Sequence, residues 1–80
     1  MKNKILSAMS VVATNTSSNL IQNINDNTIL LESGLDSLGF AILVAQLEED
    51  LGYDPFSMMA EPVYPRTFGE LVEIYERFSA

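Results

Sequence analysis

The chain has no cysteine, no histidine and no tryptophan, and only four basic side chains among its 80 residues. Without cysteine it holds no disulfide, no thiolate-ligated zinc and no thiol nucleophile. Without histidine it lacks the usual general base, the commonest metal ligand and every Ser-His pairing in cis. Neither a self-sufficient hydrolase nor a metal site is therefore expected, and no residue is assigned a catalytic role. The bases sit near the ends as Lys2, Lys4, Arg66 and Arg77, so residues 5–65 carry eight acids and no Lys or Arg, and the net charge is −7. Such a surface repels nucleic acid and favours basic protein partners, which long-range steering brings in quickly. Long apolar runs are also missing. The longest, Phe40 to Ala45, is six residues, against the ~20 needed to cross a bilayer. Met1-Lys2-Asn3-Lys4 is followed by too broken an apolar stretch for a signal peptide, so a cytoplasmic protein without a membrane span is expected.

What is present suffices for one small core. Apolar residues make up 48% of the chain, including four Phe and three Tyr, too much for a disordered segment. The length fits a single domain over residues 1–80, expected as a monomer.

Helical periodicity dominates. Ile5, Leu6, Met9, Val12 and Ala13 form one stripe of a first helix over about 3–13. Thr14-Asn15-Thr16-Ser17-Ser18-Asn19 ends it, because these side chains compete for backbone hydrogen bonds. A long connection follows. Its apolar residues Leu20, Ile21, Ile24, Ile29, Leu30 and Leu31 must lie on the core, with a helical turn expected near 20–24. Gly34 breaks the chain before Asp36-Ser37, either of which suits an N-cap, and a second helix over 37–51 ends at Gly52. It is apolar on two sides: Phe40, Leu43, Val44, Leu47 and Leu51 are expected inward, with Gly39, Ile42, Ala45 and Gln46 outward. Asp54-Pro55 opens a short third helix expected to reach Ala60 and to be stopped by Pro62 and Pro65. Thr67 and Glu70 form a capping box ahead of a last helix with Phe68, Leu71, Val72, Tyr75 and Phe78 on one face. No strand pattern or repeat is visible. The expected fold is all-α, a small four-helix bundle of three main helices and one short one, with a long loop between the first two.

Gly34-Leu35-Asp36-Ser37-Leu38 is the segment that can carry chemistry. A serine at a helix start after a glycine turn is held at the surface near the positive end of the helix dipole, which suits a phosphodiester. Helix capping alone is the competing reading. The segment resembles the attachment motif of the acyl carrier proteins, Asp-Ser-Leu at the start of the second helix of an acidic four-helix bundle. The resemblance extends to the apolar first helix, to Leu30-Leu31-Glu32-Ser33-Gly34 leading into the motif, to Leu47-Glu48-Glu49, and to the last helix that starts at Thr67. It implies that a phosphopantetheinyl transferase moves 4′-phosphopantetheine from coenzyme A onto Ser37, flanked by Asp36 and Leu38. The thiol of that cofactor then carries acyl or aminoacyl groups as thioesters. With no base in cis, Ser37 is a substrate and not a catalyst.

Three departures from the fatty-acid-synthesis pattern point to a dedicated carrier: Leu35 for a small residue, Gly39 for an acid, and Ile42 for a second acid. Ile42, Glu48 and Glu49, with Asp50, are the candidate docking residues. Leu38, Ile42, Phe56, Met58, Met59 and Val63 are the candidate lining for the attached chain, methionine suiting a pocket that opens and closes. The partners implied are the transferase, an acyl- or aminoacyl-activating enzyme, and downstream synthases or transferases. An aminoacyl or peptidyl carrier and an unmodified interaction module are the competing functions.

Overall fold

The structure is a computed structural model and describes residues 1–61 and 63–79. Four α-helices are found among the described residues: α1 (Lys2–Asn15), α2 (Ser37–Leu51), α3 (Pro55–Met58) and α4 (Phe68–Arg77), with a short 3₁₀ turn at Leu30–Glu32. No strand is found there. A single bridge pairs Ile29 with Thr67. The all-α bundle with a long first loop is thus as the periodicity implies, and among the described residues no helix is long and apolar enough to cross a membrane.

The core follows the stripes. Ile5, Met9 and Val12 of α1, Leu43 and Leu47 of α2, and Phe68, Leu71 and Tyr75 of α4 are buried together. Ala8 joins them, a small residue that lets α1 approach its neighbours, while Leu6 and Phe78 are only half-buried. Truncating Leu43 or Leu47 to alanine would cost about 2–5 kcal/mol.

Five details differ from expectation. Ile21 and Leu31, expected on the core, are 44% and 61% exposed, because Leu20, Ile24 and Leu30 take the loop's core-facing places. Residues 20–24 form no helical turn, and the loop's ordered turn lies instead at Leu30–Glu32, where the buried Leu30 anchors it. The backbone at 19–21 instead lies flat against the start of the motif. The Ile21 amide donates to the Ser33 carbonyl at 2.9 Å, and a Cβ on Gly34 (φ +113°) would sit 2.1 Å from the Asn19 carbonyl oxygen. Only glycine fits there.

The third helix stops at Met58, with Met59 extended. The chain must span back to the long loop, where the Leu30 amide donates to the Arg66 carbonyl at 3.0 Å. Extended backbone covers that distance with about half the residues a helix needs. Pro62, assigned above as a stop, lies outside the described residues.

The capping box is divided. Thr67 Oγ1 accepts the Glu70 amide at 3.2 Å, but Glu70 Oε2 accepts from the Arg66 amide, one residue further out. The loop supplies the rest of the cap, since the Phe68 and Gly69 amides donate to the Thr28 and Asp26 carbonyls at 2.8 and 3.0 Å. Gly69 permits that approach, a Cβ there lying 2.9 Å from Asp26.

Finally, Gly39 points inward. It is buried against Leu35, itself 2% exposed, with Leu35 Cβ 3.3 Å from where a Gly39 Cβ would stand. A large residue before the motif and none three residues into the helix are therefore one packing solution. This gives Gly39 the reason that helix propensity does not.

Candidate functional site

Asp36 takes the N-cap of α2. Its backbone is extended and its Oδ1 accepts the Gly39 amide at 2.8 Å. Ser37 is consequently the first helical residue, exposed, and its hydroxyl makes no hydrogen bond among the described residues. Capping does not occupy it. Ser33, the neighbouring serine, differs in both respects: it is 0% exposed and its Oγ donates to the Leu30 carbonyl at 2.5 Å.

Leu35, buried one residue before Asp36, pins the motif to the core, and Gly34 turns the chain into it. The segment is thus held from below while its hydroxyl faces outward at the amide-rich end of a 15-residue helix. Such an end stabilises a neighbouring anion. A serine bearing a phosphodiester fits here without displacing any contact.

Ser37 also borders a cavity of about 500 Å³, walled by Leu30 and Leu31 of the loop, Phe40, Ala41 and Val44 of α2, Phe56 of α3, and Tyr64 and Pro65. Apart from Ser37, the only polar side-chain group that the described residues bring to it is the Tyr64 hydroxyl. Phe56 is the one residue of the expected lining that the structure places there. Met58, Met59 and Val63 instead wall a second cavity of about 450 Å³, facing Ile74 of α4 and Phe78 just beyond its end. Leu38 and Ile42 line neither cavity. They are 67% and 36% exposed, one turn apart on the outer side of α2.

Periodicity alone did not single out Leu31, Tyr64 and Pro65 as cavity residues, because they lie outside the helices. The available signal was an apolar Leu-Leu pair ahead of the glycine turn and an aromatic beside a proline, both in segments too short to have a period. Glu48, Glu49 and Asp50 are exposed at the far end of α2, Asp50 accepting from Gln46 Nε2 at 3.0 Å. Among the described residues no group of three or more acidic side chains is placed to hold a metal ion.

Residues 9–60 match the model of the family described as "phosphopantetheine attachment site". No curated protein and no solved structure matches the chain. The matched span runs from the middle of α1 through α3 and includes the capped serine, the glycine turn and the loop that pins them. This chain therefore belongs to the phosphopantetheine attachment family, carrier domains that hold 4′-phosphopantetheine covalently on a serine.

Proposed function

We propose that residues 1–80 form one acyl carrier domain in which Ser37 bears the cofactor. The observation that carries this reading is the placement of Ser37: its hydroxyl is free because Asp36 performs the capping, and it lines an apolar cavity. In the attachment step the Ser37 oxygen bonds to the pantetheine-side phosphorus of coenzyme A. The pyrophosphate P–O bond breaks, adenosine 3′,5′-bisphosphate leaves, and the serine proton passes to a base. With no histidine in the chain, that base and the Mg²⁺ that neutralises the pyrophosphate belong to the transferase. Ser37 contributes the nucleophilic oxygen and its position. The carboxylate of Asp36 is spent on the helix cap through Oδ1, with Oδ2 left for the transferase.

The thiol of the attached group carries the cargo as a thioester, and the cavity gives an apolar chain a place out of water at about 25 cal/mol per Å² buried. This supports acyl rather than aminoacyl cargo, since a charged α-amino group would find there only Tyr64 as a side-chain partner. Partners dock on the outer side of α2, where Leu38 and Ile42 are exposed, with Glu48 and Glu49 exposed at its far end. The protein acts in the cytoplasm as a monomeric substrate of other enzymes.

The test is intact-mass measurement after incubation with coenzyme A and a broad-specificity phosphopantetheinyl transferase. Wild type should gain one phosphopantetheinyl group and Ser37→Ala none. A Ser37→Ala protein that still gains it, or a wild type that never does while a control carrier is modified, contradicts the assignment.

A further inference from the structure

We infer that the cavity beside Ser37 shelters an acyl group bearing an aromatic ring, and that Tyr64 is the residue that sets this preference. The inference rests on the reading of Ser37 as the attachment point and adds the class of cargo. Three of the seven aromatic rings in the chain, those of Phe40, Phe56 and Tyr64, wall the cavity. Phe56 is the platform. Phe40 meets it edge-on at 6.3 Å and 71°, Tyr75 at 6.1 Å and 82°, and Tyr64 lies nearly parallel to it at 6.3 Å and 15°.

Core packing accounts for Phe40 and Phe56, which lie half-buried against the buried cluster. It does not account for Tyr64, which is 75% exposed and makes no hydrogen bond among the described residues. Its ring is held by the stack on Phe56, at a separation near the long end of the ~4.5–7 Å found for aromatic pairs. A wall held so lightly gives way at small cost. A planar ring entering from Ser37 then finds a stacking face on Phe56 and a second on Tyr64, whereas a saturated ring of the same size gains only buried area. Aromatic pairing adds a contribution beyond area, equivalent to about two- to twelvefold in an equilibrium.

The test compares two cargoes matched in size. Apo-protein is loaded by a phosphopantetheinyl transferase from phenylacetyl-coenzyme A or cyclohexylacetyl-coenzyme A, and thioester cleavage by hydroxylamine is timed against the free coenzyme A thioesters. Wild type should protect the phenylacetyl group about two- to twelvefold more than the cyclohexylacetyl group. Tyr64→Ala should lose that preference while keeping its circular dichroism spectrum, and Tyr64→Phe should retain it. Equal protection of both cargoes, better protection of the cyclohexyl group, protection of neither, or a preference that survives Tyr64→Ala overturns the inference and leaves the attachment reading standing. No mass gain from either donor overturns the attachment reading and this one with it.

Discussion

At the scale of single residues, the division of labour between Asp36 and Ser37 decides what the motif can do. Both residue types cap helices, and the sequence alone leaves the choice open. The structure gives the cap to Asp36, so the two positions have separable mutational signatures. Asp36→Ala should cost about 0.5–2 kcal/mol in denaturant unfolding, and Asp36→Asn should restore most of it, since an amide oxygen also caps. If the transferase needs the charge, Asp36→Asn will be stable yet poorly modified, which modification kinetics on the folded protein would read directly.

Tyr75 offers a second test. Its ring is fully buried and its hydroxyl has no partner among the described residues, while its carbonyl accepts from Tyr53 Oη at 2.6 Å. An unsatisfied buried hydroxyl costs about 1–3 kcal/mol, so Tyr75→Phe should be at least as stable as wild type at pH 7. Tyr53→Phe should lose about 0.5–1.5 kcal/mol. Burial, followed by the charges of Asp54, Tyr53 and Glu48, holds the Tyr75 hydroxyl well above its ordinary value of 10.0. A folded-state value above the unfolded one gives stability that is complete below pH 10 and is lost as pH rises past it, at up to about 1.4 kcal/mol per unit. Tyr75→Phe should flatten that alkaline limb in pH-dependent unfolding. An unchanged limb would mean that another group titrates.

Among elements, the contrast between helices and connections explains what was legible. Helix α2 reads directly from the sequence because its signals are local: an N-cap at Asp36, a left-handed glycine at Gly52 (φ +84°), and continuous apolar periodicity between them. The amphipathic α4 is equally clear. The loop was misread at 20–24 because what fixes it is not local. Its carbonyls cap α4, and its Asn19–Leu20 backbone closes on Gly34. No window of sequence holds both halves of such a contact.

Gly34→Ala should consequently be among the most damaging single changes, since it meets both a positive φ and backbone at 2.1 Å. Gly52→Ala has a positive φ but open space, and should cost only about 1–2 kcal/mol. Leu35 and Gly39 should behave as a coupled pair. Gly39→Ala gains about 1 kcal/mol of helix propensity but its Cβ meets Leu35 Cβ at 3.3 Å and Leu35 Cδ2 at 3.4 Å, of which Leu35→Ala removes only the second, so the substitution should stabilise a Leu35→Ala background slightly more than the wild type. A double-mutant cycle measured by denaturant unfolding reads this coupling, and additivity of the two changes would contradict it.

Taken as a whole, the molecule places an uncharged patch on the outer side of α2 within a strongly acidic surface. The net charge of −7 and the absence of Lys and Arg from residues 5–65 were plain in the sequence, as was the exposure of Ile42 from its helical phase. The cavity was not, because four separate segments form it. On the proposed docking surface, steering and docking would come from different groups. Net charge speeds encounter with basic partners, while burial of what Leu38 and Ile42 expose, 67% and 36% and so about one whole aliphatic side chain between them, contributes about 1.5–3 kcal/mol, more than the ~0–1 of an exposed ion pair. Ile42→Glu should therefore slow loading by the cognate activating enzyme with its circular dichroism spectrum unchanged. Undiminished loading would shift docking to Glu48 and Glu49.

The expectations for modification, loading and cargo depend on one covalent event at one atom. The measurement that tests it most directly is peptide-level fragmentation of the modified wild-type protein, localising the phosphopantetheinyl group. The account predicts it on Ser37, with Ser33 and every other serine unmodified. Localisation to any other residue, or no modified peptide from protein exposed to an active transferase, would contradict it.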